Sequence, residues 1–272
     1  MSAPQRLVVV GAAGRMGRAF LEAAAAHEDL EIIGAVVKSG DDAARRTLAV
    51  ETPSGTKEWR PVEDGVPLLA GADAVVEFAE PAATARYARA AAEAGCAFLS
   101  GTTGLDEAAK RALEEAATRV AVFHAPNLSF GVAVLSDLVR EAARRLGPGY
   151  DVEIIEAHHR MKADAPSGTA LKLLDAVRGA RGALAAVHGR EGRTGPRPDR
   201  QIGVHAIRAG QIVGEHTVLF AGPGECIALE HSALSRACFA EGAVRAVRFL
   251  KTARPGLYGM DALSAAETGD RS

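Results

Sequence analysis

Cysteine is scarce: the 272 residues hold three, Cys96, Cys226 and Cys238, far apart and in no CxxC pairing. That argues against a disulfide framework and against a cysteine-based zinc site, and it suits a reducing compartment. Lysine is scarce too, with six among the 32 basic residues, the rest being arginine. A lysine found among histidines therefore stands out, because burial can tune its pKa whereas arginine stays charged. An excess of positive charge is missing. The formal net charge is −2, which gives no electrostatic footprint for nucleic acid. No stretch approaches the roughly 18 apolar residues of a membrane span, and the N-terminal apolar run is too short for a secretory signal. Repeats and low-complexity tracts are absent. The chain reads as a cytoplasmic protein with neither a membrane nor a nucleic-acid partner.

A hydrophobic content of 48% with 24% charged residues is that of an ordinary globular protein, long enough for one large or two modest domains. The first half alternates. Strand-like runs at 6–10, 31–37, 73–79, 97–101 and 120–125 are separated by helical patterns at 15–26, 82–94 and 106–118. Such repetition implies right-handed crossovers and a parallel sheet: a doubly wound, Rossmann-like α/β domain. The rhythm then changes. A longer amphipathic helix at 129–147 stops at Gly147-Pro148-Gly149, and strand-like "DVEIIEAHH", "IGVHAIRAG", "QIVGEHTVLFAG" and "ECIALEHSA" follow with one helix at about 169–177. A second, α+β domain with a mixed and largely antiparallel sheet is expected. The polar loop 189–200, "GREGRTGPRPDR", has a length usually tied to function or mobility. A last helix, "RACFAEGAVRAVRFL", would return to the first domain. These signals divide the chain into 1–128, completed by 237–272, and 129–236.

Two motifs carry chemistry. In "LVVVGAAGRMGRAF", Gly11, Gly14 and Gly17 lie between a strand and a helix. Glycine permits a tight turn and close approach to a diphosphate, and the helix start supplies unpaired N–H groups at its positive end. The spacing is GxxGxxG rather than GxGxxG, and alone it would be only a Gly-rich turn. The strand before it and the βα units after it make it a dinucleotide site. An acidic residue ending the second strand would favour NAD; here Val37 and Lys38 stand there, which leans towards NADP with NAD tolerated. Two further strand ends, "SGTTG" and "HAPNLSFG", offer small or hydroxylated residues for the same cofactor.

The second motif is "EIIEAHHRMKADAPSGTA", residues 153–170. Side chains alternate along a strand, so His158 and His159 cannot both face one reacting atom while the strand runs on. Lys162 follows in a loop, and Pro166-Ser167-Gly168-Thr169 reads as a helix N-terminus able to take a carboxylate. Two histidines, a lysine and an anion-binding turn within twelve residues suit protonation of an anionic substrate while a dinucleotide donates hydride. A polar loop with an ordinary N-cap is the bland alternative. No metal is expected, because adjacent histidines lack ligand spacing and no acidic or cysteine cluster completes a shell.

With those residues placed, the chain resembles the 4-hydroxy-tetrahydrodipicolinate reductase (dihydrodipicolinate reductase) family of bacterial lysine and diaminopimelate synthesis. "GAAGRMGR", "GTTG", "EAHHRMKADAPSGTA", "REGRTG", "IRAGQIVGEHTVLF" and "FAEGAVRAVRFL" match in order and spacing, nearly end to end. The resemblance implies NADPH- or NADH-dependent reduction of a cyclic dicarboxylate at ring C4, with the 4-hydroxyl lost as water. It implies His158 as proton donor and acceptor, Lys162 as proton donor, and His159, Gly168 and Thr169 on the substrate carboxylates. Gly11, Ala12, Ala13, Gly14, Arg15 and Met16 would hold the cofactor. So would Gly101, Thr102, Thr103, Ala125, Pro126, Asn127 and Leu128, with Lys38 sensing a 2′-phosphate. A homotetramer built through the second domain's sheets is implied, as is closure of the two domains around the ligands. The chain departs from the family at Glu77-Phe78-Ala79, Leu128, Ala133 and Cys226, none of them a proposed acid. Rival expectations are a dinucleotide-binding redox sensor, a divergent reductase for a related cyclic dicarboxylate, and a semialdehyde-type dehydrogenase. The last needs a thiolate motif that the three cysteines do not form.

Overall fold

The computed structural model describes residues 3–52 and 55–268. In chain order the first elements are β1 (Gln5–Val10), α1 (Arg15–Ala25), β2 (Leu30–Val36), β3 (Leu48–Thr52), β4 (Gly55–Trp59), β5 (Ala74–Glu77) and α2 (Pro81–Ala94). Then come β6 (Ala97–Ser100), α3 (Glu107–Ala117), β7 (Ala121–His124), α4 (Phe130–Leu146), β8 (Asp151–His158), α5 (Gly168–Arg181) and β9 (Ala185–Val187). The chain ends with β10 (Gln201–Arg208), β11 (Glu215–Ala221), β12 (Cys226–Ser232), α6 (Ala237–Leu250), β13 (Gly256–Tyr258) and α7 (Met260–Thr268). It divides into two compact units, Met1–Phe130 with Arg236–Ser272, and Gly131–Ser235.

The first unit is built on a six-stranded sheet in the order β13-β7-β6-β5-β1-β2, and every pairing is parallel. Strands such as Leu7-Val8-Val9-Val10 are apolar throughout because helices cover both faces. Helix faces repeat at i, i+3, i+4 and i+7: Gly17, Phe20, Leu21 and Ala24 on α1, and Ala109, Ala112, Leu113 and Ala116 on α3. The α3 face is mostly alanine, so larger residues such as Phe98, Leu99 and Phe123 of the strands and Phe20 and Leu21 of α1 fill the core, each worth about 1.5–3 kcal/mol. Asp106 caps α3 through Ala109 N, and Gly95 ends α2 in the left-handed conformation. The order reverses between β1 and β5. One chain direction leads from β1 to β2 and the other from β5 to β6 and β7, which opens a crevice at the strands' carboxyl ends. The C-terminal segment belongs to this unit: Gln5 Nε2 donates to Val247 O, and Arg248 forms a two-point pair with Asp29 at 2.8 Å.

The second unit holds a five-stranded sheet, β12-β11-β8-β10-β9. It is mixed as expected, with the antiparallel pairings half of the four rather than most: β8, β10 and β9 run parallel, and β11 alone reverses, pairing antiparallel with β8 on one side and β12 on the other. The reason is α5, which serves as a crossover and returns the chain in the same direction. One face packs Val152, Ile154, Ile202, Val204, Val218 and Phe220 against Val139, Leu173 and Val177 of the helices. The run 211–222 is a strand only from Glu215, because a turn at Gly210–Gln211 precedes it, with Gly210 at φ +47. Loop 189–200 is held rather than loose: Arg197 reaches Asp151 and Glu153, and Arg190 also reaches Glu153.

Four elements escaped the sequence reading: the β3–β4 hairpin, β9, β13 and α7. Trp59 Nε1 pins the hairpin to Ile32 O, and Lys57 Nζ pins it to Ala25 O. Its turn residues 53 and 54 lie outside the described residues.

Candidate active site

In the first unit, the turn after β1 is shaped by close approach. Gly11 has φ +78, and a Cβ there would lie 2.4 Å from Phe78 O. A Cβ at Gly17 would lie 2.1 Å from Gly11 O, so bare backbone is what allows α1 to start against the turn. The amides of Gly11 and Ala12 are already committed to Val36 O, at 3.0 Å each. The first intrahelical bond is Arg18 N to Gly14 O, so the N–H groups of Arg15, Met16 and Gly17 have no acceptor within the helix. No side chain caps this end and no acidic residue sits in its first turn. An anion can take those amides. Lys38 lies two residues beyond β2 with its side chain 73% exposed, paired to Glu80 at 3.3 Å.

The neighbouring strand ends are knitted together by a carboxylate. Glu77, fully buried, accepts from Ala79 N at 2.5 Å, Thr84 Oγ1 at 2.8 Å, Ser100 Oγ at 2.8 Å and Thr102 Oγ1 at 2.7 Å. The loop after β7 is tied in by Ala125 N to Ser100 O and by His124 Nε2 to Thr102 O. Thr102 is thus held from both sides, while Thr103 and Pro126 are exposed. Leu128 is buried, and a Cβ at Gly101 would come within 3.1 Å of it. Ala12 and Leu128 therefore offer backbone, not side chain, to a ligand. Asn127 accepts from Ser129 N through Oδ1, which fixes its turn.

In the second unit, β8 stops at His158. His159 lies beyond the strand and begins the turn closed by Lys162 N to His159 O, which frees it from strict alternation. His158 Nδ1 lies 2.6 Å from Glu156 Oε2, two residues back on the same strand face. Glu156 is fully buried; its other partners are Arg208 Nη1 and Nη2, each at 2.8 Å, and Ser167 N at 3.0 Å. Burial alone would raise its pKa, but these hydrogen bonds hold it below the usual carboxylate value. Burial pushes His158 down, partly opposed by Glu156, so the ring rests neutral near pH 7. His216 packs edge-on to it, ring centres 5.1 Å apart, and burial pushes its pKa down to about 4. Lys162 Nζ is held by Asp164 Oδ1 at 2.8 Å, and the lysine charge is near enough to help depress His158. Ser167 caps α5 by accepting from Ala170 N, placing Gly168 and Thr169 in the helix's first turn.

Family models described as "Dihydrodipicolinate reductase, N-terminus" and "Dihydrodipicolinate reductase, C-terminus" match residues 5–128 and 131–263. The chain belongs to the dihydrodipicolinate reductase family. A 4-hydroxy-tetrahydrodipicolinate reductase of Halorhodospira halophila is 47% identical over 256 residues, covering 93% of this chain and 96% of that protein. Its counterpart in Anaeromyxobacter dehalogenans is 46% identical over 261 residues, covering 94% and 96%. Among solved structures, a dipicolinate-bound dihydrodipicolinate reductase from Paenisporosarcina sp. TG-14 superposes with a TM-score of 0.76 at 22% identity, covering 95% of this chain and 99% of that one. At that identity the likeness shows the fold alone.

For a dihydrodipicolinate reductase family member, the sequence reading overlooked Glu156, Arg208 and His216. Only Glu156 carried a local signal, at i−2 from His158; Arg208 and His216 are brought in by strand pairing, which sets Arg208 opposite His158 and His216 opposite Glu156. Among the described residues no cluster of three or more metal-ligating side chains occurs, and no helix is long and apolar enough to cross a membrane.

Proposed function

We propose that this chain reduces 4-hydroxy-tetrahydrodipicolinate to tetrahydrodipicolinate in lysine and diaminopimelate synthesis, using NADPH in preference to NADH. One hydride and one proton enter the ring system and one water leaves. The reduced nicotinamide supplies the hydride. The carrying observation is the imidazole of His158, 2.6 Å from the buried Glu156 carboxylate and followed within one turn by Lys162, in a family member matched over both of its parts.

Within this reading, Lys162 donates the proton that turns the departing hydroxyl into water. His158 takes and returns a ring proton through Nε2. The α5 amides at Gly168 and Thr169, with His159, hold the substrate carboxylates. Gly11, Ala12, Ala13, Gly14, Arg15 and Met16, at the start of α1, would hold the diphosphate. Gly101, Thr102, Thr103, Ala125, Pro126, Asn127 and Leu128 line the rest of the cofactor site. Lys38 supports NADPH: its exposed pair with Glu80 is worth at most about 1 kcal/mol, so a 2′-phosphate displaces it readily. The 129–236 segment also builds a cytoplasmic homotetramer, supported by the apolar Ile155, Leu219 and half-exposed Ile207 on the sheet face that no helix covers.

A semialdehyde-type dehydrogenase is disfavoured. Burial pushes the Cys96 thiol up to about 11 and raises that of Cys238, the opposite of an activated nucleophile.

The test is direct. Purified protein, enzymatically generated substrate and either NADPH or NADH are mixed, and loss of nicotinamide absorbance is followed. Turnover with a higher kcat/KM for NADPH, abolished in His158→Ala and Lys162→Ala, is expected. Dinucleotide binding without turnover would instead favour a sensor.

A further inference from the structure

We propose that Glu156 is a positioning residue for this reaction: its buried carboxylate fixes the proton of His158 on Nδ1, presents a bare Nε2 for proton transfer, and sets the start of α5 by the same contacts. The proposal rests on the reading that His158 handles the ring proton.

The geometry determines the tautomer. An ionised carboxylate only accepts hydrogen bonds, so the imidazole nitrogen 2.6 Å from Glu156 Oε2 must carry the hydrogen. In a neutral ring the other nitrogen is then bare, the reverse of the tautomer that free histidine favours. Glu156 has no capacity left for another role. Oε1 takes Arg208 Nη2 and Ser167 N, Oε2 takes His158 Nδ1 and Arg208 Nη1, and no part of the side chain is exposed. The two-point guanidinium contact keeps the carboxylate ionised where burial would otherwise protonate it.

A separate observation concerns the far side of the ring. A Cβ at Gly214 would lie 3.1 Å from His158 Nε2, so the missing side chain keeps space open at the nitrogen left bare. The third link is to the anion site. Ser167 gives its N–H to Glu156 and its Oγ to the cap of α5, so one carboxylate registers both the imidazole and the helix amides. The charged and titratable groups around His158 are Glu156 on β8, Arg208 on β10, His216 on β11, and Lys162 with its partner Asp164 in the following turn. Glu156 pulls a proton towards the ring through its hydrogen bond and its charge, whereas Lys162 and Arg208 oppose it.

The experiment combines nitrogen-15 NMR of histidine-labelled full-length protein with kinetics. The His158 signals are assigned by their loss in His158→Ala. The expected wild-type spectrum shows a protonated Nδ1 and a bare Nε2. In Glu156→Gln the side-chain amide can donate to Nδ1 and drive the proton to Nε2. That variant should show a mixed or reversed tautomer, with kcat down about 100-fold or more while the KM for NADPH stays within twofold. Its kcat/KM limb for His158 should move to lower pH, because the group that raises this pKa is gone. Arg208→Met is the second variant. It takes away the contact that keeps Glu156 ionised, and a protonated Glu156 can donate to Nδ1, so the nitrogen-15 spectrum should show a mixed or reversed tautomer here too, and this arm stands if Glu156→Gln does not fold. A wild-type Nε2–H tautomer, an unchanged Nδ1–H tautomer in Arg208→Met, or full kcat in Glu156→Gln beside an inactive His158→Ala overturns the positioning role alone. An active His158→Ala overturns it together with the reading beneath it.

Discussion

Gly17→Ala sets two effects of known size against each other. Gly17 lies inside α1, and alanine is the better helix former by about 0.5–1 kcal/mol. A methyl there would lie 2.1 Å from Gly11 O, 2.7 Å from Ala12 Cα and 2.8 Å from Gly11 C, all of them backbone atoms. Reaching even 3.0 Å from Gly11 O from a starting 2.1 Å means that α1 or the turn must shift by about 0.9 Å. Overpacking of that kind costs about 1–3 kcal/mol, towards the upper end because backbone cannot rotate aside. The clash wins. Net destabilisation of about 1–2 kcal/mol should lower the melting temperature by about 2–8 °C. The same shift carries the Arg15, Met16 and Gly17 amides off the diphosphate, so the Kd for NADPH should rise about tenfold, or about 1.4 kcal/mol. Gly179→Ala is the matched control. It sits in α5 with nothing within 4 Å of the added methyl, so it should stabilise by about 0.5–1 kcal/mol and leave NADPH binding unchanged. Calorimetry and fluorescence titration read both variants. A Gly17→Ala protein as stable as wild type, with NADPH affinity within twofold, would refute the reasoning.

Two further perturbations probe the buried polar groups. Glu77→Leu strips the acceptor from the Ala79 amide and from the hydroxyls of Thr84, Ser100 and Thr102; the hydroxyls can turn elsewhere but the amide cannot. A loss of about 1–3 kcal/mol follows, with weakened NADPH binding as the Thr102 loop comes free, and a melting shift under 2 °C would contradict this. His216, held to about 4 by burial, binds its proton later than an unfolded histidine near 6.5. Its contribution is therefore intact above about pH 6.5 and is lost as pH falls towards 4, by about 3 kcal/mol in all. His158 and His231 are depressed too and share the window, whereas Glu153, held to about 2, acts only below about 4.5. Urea unfolding at pH 7.5, 5 and 4 should show a shallower acid limb in His216→Gln than in wild type. Identical limbs would remove His216 from the account.

Much of this was legible because periodicity and glycine act locally. Strand–helix alternation marked the parallel sheet, and Gly11 and Gly17 stand where a Cβ would strike backbone. The hairpin at 48–59, the short strands β9 and β13, and helix α7 were not legible. Three-residue strands carry too little pattern to separate from loop, and the hairpin's anchors, Trp59 to Ile32 and Lys57 to Ala25, are tertiary contacts. The sheet of the second unit was expected to be mixed and is, but its parallel pairs were not legible, because pairing direction depends on whether a connection is a turn or a crossover. Here α5 makes it a crossover.

The acids whose structural role escaped detection share one physical trait. Glu77 and Glu156 are carboxylates with no exposed surface, and such a group is tolerated only where its partners converge from several strands. Those partners are distant in sequence: Ser100 and Thr102 for the first, Ser167 and Arg208 for the second. A motif search sees the histidines and glycines that meet a ligand, because they cluster along the chain. It passes over the acids that hold them, because what marks those acids is burial. The two sites also solve the charge problem differently. Glu77 is met only by hydroxyls and an amide among its recorded bonds, whereas Glu156 is met by a guanidinium. The difference follows the proposed ligands. A second anion arriving beside Glu156, as a dicarboxylate would, requires a neutralised neighbour, and Arg208 supplies it without charging His158.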